Sequence, residues 1–202
     1  RSEAEMTRFM ESIAQEINFL TKLTNNLLIL ARVDSGASNL TFTKNRVDEV
    51  VLAQVSRLSK LANMKKISLH LDFDSFYQAS EDELSIMCDR DLLGVLFYNL
   101  IENAIKYSPE SSTVTITGES KKGMLCVRVS DEGEGIEEAD LEKIFSRFHR
   151  LQSTATKAQG SGLGLAICKV VADSLGARIY ATRNEGPGTS FVFEINQAAF
   201  GR

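Results

Sequence analysis

NLIENAIKY (Asn99–Tyr107), SDEGEGI (Ser130–Ile136) and GSGLGLAI (Gly160–Ile167) stand in that order in the second half of a 202-residue chain. The first string reads as the end of a helix that Asp89 caps and Ser108-Pro109 stops. By three-and-four spacing, Leu96, Leu100, Ile101 and Ala104 fall on one side of it. Asn99, Asn103, Lys106 and Tyr107 fall on the other side or its edge. The second string ends a strand in which Leu125, Val127 and Val129 alternate with polar residues. The third opens a helix striped with Ile167, Val170, Val171 and Leu175 and ended by Gly176.

Working outward, Val47 to Met64 reads as a helix and Ile67 to Phe73 as a half-buried strand. Short strands are expected at Leu40–Thr43 and Ile86–Cys88. Two more, Thr113–Glu119 and Leu125–Val129, join at Lys121-Lys122-Gly123. A short helix is expected over Glu137–Phe145, and a polar, irregular and mobile stretch over Leu151–Ser161. Strands Arg178–Thr182 and Ser190–Ile195 close the chain. Strands and helices mix without βαβ regularity, so the fold class is α+β, a two-layer α/β sandwich with a mixed sheet packed on helices.

From Met6 to Val33, apolar residues recur at helical spacing: Met6, Met10, Ile13, Ile17, Leu20, Leu27 and Ala31, widened by Leu23, Leu28 and Leu30. This reads as one long amphipathic helix that needs a partner helix. DSGASN (Asp34–Asn39) then breaks the pattern like a linker.

The bulk numbers narrow the function. Net charge is −4, from 23 basic and 27 acidic side chains, with no basic run of the kind that binds nucleic acid. No apolar run approaches the ~18 residues that span a bilayer. Cys88, Cys126 and Cys168 are dispersed in apolar contexts and are expected as buried thiols in a reducing, cytoplasmic compartment. The chain opens mid-helix in character and without methionine, so it reads as part of a longer protein, whose membrane anchoring stays open.

Each string has a chemical meaning. Two amides and an ammonium along one helix face are unusual; an amide oxygen is a hard ligand suited to Mg²⁺, and a lysine supplies a point charge for phosphate. Asp131, on a turn shaped by Gly133 and Gly135, offers a carboxylate to a hydrogen-bond donor such as an adenine amino group. The third string offers free backbone N–H groups at a helix start, a place for phosphate. A dinucleotide fold would need a strand before that loop, and a P-loop would need Gly-Lys-Ser/Thr; neither is present. His70 reads as structural; His149, between arginines, reads first as a surface residue, with contact to a partner or ligand as the alternative.

Taken together, the ordered strings resemble the catalytic ATP-binding domain of sensor histidine kinases, a branch of the GHKL ATPases. NLIENAIKYS resembles that family's N box, SDEGEGI its first glycine box, IFSRFHR (Ile144–Arg150) its F box and GSGLGLAI its second glycine box. LLILARVDSG (Leu27–Gly36) resembles the end of the second helix of the dimerisation and histidine-phosphotransfer hairpin. The resemblance divides the chain into residues 1–35 (part of that hairpin), 36–39 (linker) and 40–202 (a catalytic domain of the Bergerat type).

The resemblance implies ATP and Mg²⁺ as cofactors. Asn103 would bind the metal, with Asn99 supporting it or the phosphates. Lys106 and Tyr107 would contact phosphates or close over the nucleotide. Asp131 would hold the adenine amino group, beside Gly133, Gly135 and Ile136. Gly160, Gly162 and Gly164 with Leu163 would hinge a lid and meet the phosphates. Phe145 and Phe148 would anchor that lid, and Arg147 or Arg150 would reach the γ-phosphate. Implied partners are the protein's own histidine-bearing hairpin and the receiver domain of a response regulator, with the intact protein a homodimer.

The acceptor histidine of that hairpin is missing, so the chain alone is not expected to phosphorylate itself. Hydrolytic relatives place a glutamate base one turn before the metal-binding asparagine. Asn99 stands there, and an amide cannot take a proton from water. Glu102 adjoins Asn103 but points about 100° away on an ideal helix. The implied activity is therefore phosphoryl transfer to a histidine elsewhere. Alternatives are a nucleotide-binding scaffold without transfer activity and a serine kinase of the anti-sigma type.

Overall fold

The computed structural model describes residues 3–34, 40–77, 80–150 and 161–197. Helix α1 (Glu3–Asp34) is followed by β1 (Thr43–Arg46), α2 (Val47–Met64), β2 (Ser68–Asp72) and the single turn α3 (Asp74–Tyr77). Then come β3 (Ser85–Cys88), α4 (Arg90–Tyr107), β4 (Thr113–Lys121) and β5 (Met124–Ser130). Helix α5 (Gly164–Ser174), β6 (Arg178–Arg183) and β7 (Thr189–Asn196) complete it.

The main sheet has the order β2-β4-β5-β7-β6, with β1 and β3 forming a separate ribbon. Only β2 and β4 pair in parallel, so the sheet is mixed. The helices α2, α4 and α5 lie against the sheet. The alternation that predicts the strands also sorts their faces. Leu125, Val127 and Val129 are fully buried, as are Val114 and Ile116 on β4, while Cys126 and Arg128 are half-buried on the far face. Leu96, Phe97, Leu100, Ile101 and Ala104 of α4 are fully buried as well, and the Phe97 ring meets Phe193 edge-on at 5.4 Å.

The cap of α4 is as expected: one Asp89 oxygen accepts from the N–H groups of Asp91 and Leu92 at 3.1 and 3.2 Å. The other accepts from Arg32 of α1 and from the N–H of Thr41, both at 3.3 Å. One buried carboxylate thus holds the end of α1 and the start of the following chain against the helix that carries the first string.

Several expectations need correction. The first strand lies at Thr43–Arg46 rather than Leu40–Thr43, because its partner β3 pairs Thr43 with Cys88 and Arg46 with Ser85. The expected helix over Glu137–Phe145 is two separate 3₁₀ turns, Glu138–Asp140 and Lys143–Phe145. Short apolar spacing without a cap is too little to nucleate an α-helix. Cys126 is half-buried on the outer sheet face, whereas Cys88 and Cys168 are buried; burial pushes the Cys88 thiol up to about 11. His70 is exposed on the edge strand β2. Residues 151–160, including Gly160 and most of the stretch expected to be mobile, lie outside the described residues.

Helix α1 extends as predicted, but most of its stripe faces outward. Met6, Met10, Ile13, Ile17, Leu20 and Leu27 are exposed, whereas Asn26 and Leu30 are buried. Its C-terminal part packs on α5 and the core through Leu23, Ile29 and Val33.

Candidate functional site

One cavity of about 850 Å³ gathers the three strings. From α4 it is lined by Asn99, Asn103, Lys106 and Tyr107, and from the turn after β5 by Asp131, Gly133, Gly135 and Ile136. Gly162 and Gly164 line it at the start of α5. Leu163 does not. It is fully buried in the core, and its carbonyl accepts the Ile167 N–H, so its part is to seat α5.

The base of the cavity is the Asp131 turn. Asp131 is buried, and its Oδ1 accepts the N–H of Gly133 at 2.8 Å and of Thr189 at 3.3 Å. Its Oδ2 has no hydrogen-bond partner among the described residues, so a full acceptor is left for a ligand. Burial pushes the Asp131 carboxyl above its ordinary range, with the two N–H groups opposing. The two glycines act differently. Gly135 has a left-handed φ of +77°, whereas Gly133 is required by crowding: a Cβ there would sit 2.8 Å from both Asp131 Oδ1 and the Tyr107 carbonyl oxygen.

The opposite wall is α4. Asn99 is buried and donates to its own helix at Val95 O (2.9 Å). Its Oδ1 lies against Gly164, where a Cβ would come within 2.9 Å. Asn99 therefore lies where α4 and the start of α5 approach closely, leaving no room for a side chain at Gly164. One turn on, Asn103 is half-buried with an amide that has no hydrogen-bond partner among the described residues. No group of three His, Cys, Asp or Glu side chains is poised for a metal among the described residues. A cation here would be held by one amide oxygen together with phosphates and water, which suits Mg²⁺. Burial lowers the Lys106 ammonium; Glu102 opposes this, while Lys22, Arg150 and Lys65 add to it. This end of the cavity is cationic. Helix α5 opens onto it with no side-chain cap, so its first N–H groups can meet an anion.

Some lining residues were not foreseen. Glu102 reaches the cavity after all, held by Lys22 of α1 and by the Tyr98 hydroxyl (3.3 Å). Helix α1 adds Phe19, Lys22, Leu23 and Asn26 to the wall. Arg150 lines the cavity and Arg147 does not. His149, read first as a surface residue with ligand contact as the alternative, also lines it, and its Nε2 is buried with no hydrogen-bond partner among the described residues. Phe145 packs edge-on against Phe191 at 6.5 Å. Phe148 is exposed with φ +62°, and its N–H donates to Gly162 O at 3.0 Å, tying together the two ends of the 151–160 segment.

The match to known proteins agrees with this arrangement. Residues 88–199, more than half of the chain, match the model of the histidine kinase-, DNA gyrase B- and HSP90-like ATPase family. The chain belongs to this ATPase family. It is 32% identical over 194 residues to the sensor protein KdpD of Clostridium acetobutylicum and 33% identical over 191 residues to the sensor histidine kinase WalK of Bacillus subtilis. These alignments cover 96% and 93% of this chain but only 21% and 30% of those proteins, so the chain spans a third or less of their length. Among solved structures, it is similar to the histidine kinase ThkA in complex with the response regulator TrrA. There the TM-score is 0.76 at 25% identity, covering 100% of this chain and 54% of that one.

Proposed function

We propose that this chain is the phosphoryl-donor part of a two-component sensor histidine kinase. It binds Mg·ATP in the cavity between α4, the Asp131 turn and the start of α5. In the intact, homodimeric protein the γ-phosphoryl passes to a histidine nitrogen on a hairpin helix absent from this sequence, and then to an aspartate of a response regulator. This part of the protein works in the cytoplasm. KdpD, WalK and ThkA, all sensors or histidine kinases by name, support the reading, as does the crystallised ThkA–TrrA pair.

The observation that carries the proposal is the state of Asn99. A hydrolase needs a carboxylate there to deprotonate water. The chain has a buried amide that donates to Val95 O and presses its oxygen on Gly164. The neighbouring carboxylate, Glu102, is engaged by Lys22 and Tyr98. With an amide in place of a carboxylate at position 99, the cavity is suited to hold ATP until a separate nucleophile arrives, with catalysis by positioning and charge neutralisation.

The residues would share the work as follows. Asp131 Oδ2 accepts a hydrogen bond from the adenine amino group. Asn103 contributes an amide oxygen to Mg²⁺, which when bound neutralises phosphate charge. Lys106, Arg150 and the free N–H groups of α5 balance the remaining negative charge. Helix α1 would be the second helix of the phosphotransfer hairpin, and residues 40–202 the catalytic domain.

The test adds a purified histidine-bearing hairpin domain to this chain with Mg·[γ-³²P]ATP. Acid-labile label is expected on the added domain, and none on the chain alone. Mg·ADP binding is expected to be lost in Asp131→Asn and Asn103→Asp. Tight binding by both variants, or steady ATP hydrolysis without an acceptor, would refute the assignment.

A further inference from the structure

The β6–β7 turn carries no recognised motif, yet it holds the backbone of the base-binding carboxylate. Asp131 is the first residue beyond the ladder in which Ser130 pairs with Ser190. Its carbonyl oxygen accepts from Asn184 Nδ2 at 2.8 Å. The same Nδ2 donates to Pro187 O at 3.1 Å, and the Asn184 N–H donates to Gly188 O at 3.3 Å. The turn is pressed so closely on Asp131 that a Cβ at Gly188 would lie 1.8 Å from the Asp131 carbonyl oxygen; Gly188 also has φ +97°.

The orientation of Asn184 is fixed from the other side. Ser190 Oγ donates to Asn184 Oδ1 at 2.7 Å, and Ser130 Oγ lies 2.7 Å from Ser190 Oγ. A flipped amide would turn its oxygen toward the carbonyls of Asp131 and Pro187 and leave both without this donor, so the observed orientation is the one that satisfies them. The consequence falls on Asp131. Past the ladder, its peptide is followed by Gly133 and Gly135, which resist rotation poorly. The Asp131 N–H is held by Thr189 O at 2.9 Å and Oδ1 by two N–H groups; the hydrogen bond from Asn184 holds the peptide on the other side of Asp131 and so completes the fixing of Oδ2.

We propose that Asn184 is a positioning residue for base selection, holding the Asp131 peptide so that its free carboxylate oxygen meets a purine 6-amino group and not a 6-oxo group. This rests on the reading of Asp131 as the base-binding residue. The hydroxyls of Ser190 and Ser130 extend the brace across the outer face of the sheet, so base choice depends on residues that touch no ligand.

The experiment measures Mg·ADP and Mg·IDP dissociation constants by calorimetry for the 202-residue chain and its variants. IDP carries an oxygen where ADP carries the amino group. The wild-type chain should prefer ADP. Asn184→Ala and the isosteric Asn184→Asp should weaken ADP about tenfold, the effect of one lost hydrogen bond, and leave IDP within about twofold. Ser190→Ala keeps the Asn184 amide but frees it, and should reduce the preference about threefold. A merely structural role would lower thermal stability, or weaken both nucleotides equally, with the ratio unmoved; that result overturns the proposal. If the position-184 variants do not fold, an unchanged ratio in Ser190→Ala does the same. An Asp131→Asn variant that retains the wild-type ratio, or a wild-type chain with no ADP preference, would instead overturn the reading of Asp131 itself.

Discussion

Replacing Lys65 by methionine should loosen the end of α4 that carries Lys106 and Tyr107. Lys65 ends α2, and its ammonium donates to three carbonyl oxygens at the end of α4: Ile105 (2.8 Å), Lys106 (2.7 Å) and Ser108 (3.2 Å). These are among the carbonyls a helix leaves without internal partners, and the negative end of the helix dipole lies there. A hydrogen bond to a charged donor contributes about 1.5–3 kcal/mol in isolation, but these three share one ammonium. Burial lowers the Lys65 pKa, with Glu110 opposing, so desolvation offsets part of the gain. Methionine keeps the packed stem, and water can reach some of the abandoned carbonyls. A net loss of about 2 kcal/mol follows, equivalent to about 4–8 °C in Tm for a chain of this size. Lys106 and Tyr107 sit on the turn that loosens, so Mg·ADP affinity should fall several-fold while Lys65→Arg retains most of both. Urea denaturation and calorimetry on the three proteins decide it. A Lys65→Met change below about 0.5 kcal/mol, the range of an ordinary surface substitution, would refute the reasoning.

Other perturbations test separate parts of the structure. The Asp131 carboxyl titrates above its ordinary value because burial disfavours its charge. The acceptor role proposed for it needs the ionised form, so Mg·ADP affinity, measured by calorimetry across that interval, should be full above the raised pKa and fall as pH drops through it. The sign is opposite for stability: the folded carboxyl keeps its proton to a higher pH than the unfolded one, so the free protein becomes slightly less stable as pH rises through that interval. Gly118→Ala would place a methyl 2.4 Å from the buried Phe76 ring. The displaced ring should cost about 1–3 kcal/mol, read as a lower Tm with unchanged nucleotide affinity. A double-mutant cycle on Lys22 and Glu102 should give a coupling of about 0.2–1 kcal/mol, the range for a pair with one exposed partner.

What could be read in the sequence follows the range of the interactions involved. The helix carrying Asn99, Asn103 and Lys106 is legible because its cap, stripe and stop lie within twenty residues. The alternation on β4 and β5 is legible because each strand buries one face. The β1 boundary was not, since Thr43–Arg46 is a strand only by pairing with β3, some forty residues later. The 3₁₀ turns replaced an expected helix where apolar spacing spans too few residues to decide between the two.

At the site, the division falls between residues that present chemistry and residues that aim it. Asn103, Lys106 and Asp131 stand in contiguous strings that announce an amide, an ammonium and a carboxylate. Lys65, Asn184 and Thr189 stand in ordinary surroundings and acquire a role only through the carbonyls and N–H groups brought to them, forty to sixty residues away along the chain. Asn99 belongs to both groups. Its string marks it as a functional amide, yet the structure uses its Nδ2 within α4 and its Oδ1 against Gly164. A glutamate at that position would lose the donor to Val95 O and bring a second buried carboxylate into the cavity beside Asp131. In the proposed function the amide serves two ends at once: it lies between the helix assigned the metal ligand and the helix assigned the phosphates, and it offers water no base. The donor role proposed for this chain, holding ATP unspent until a histidine arrives, calls for both properties in one side chain.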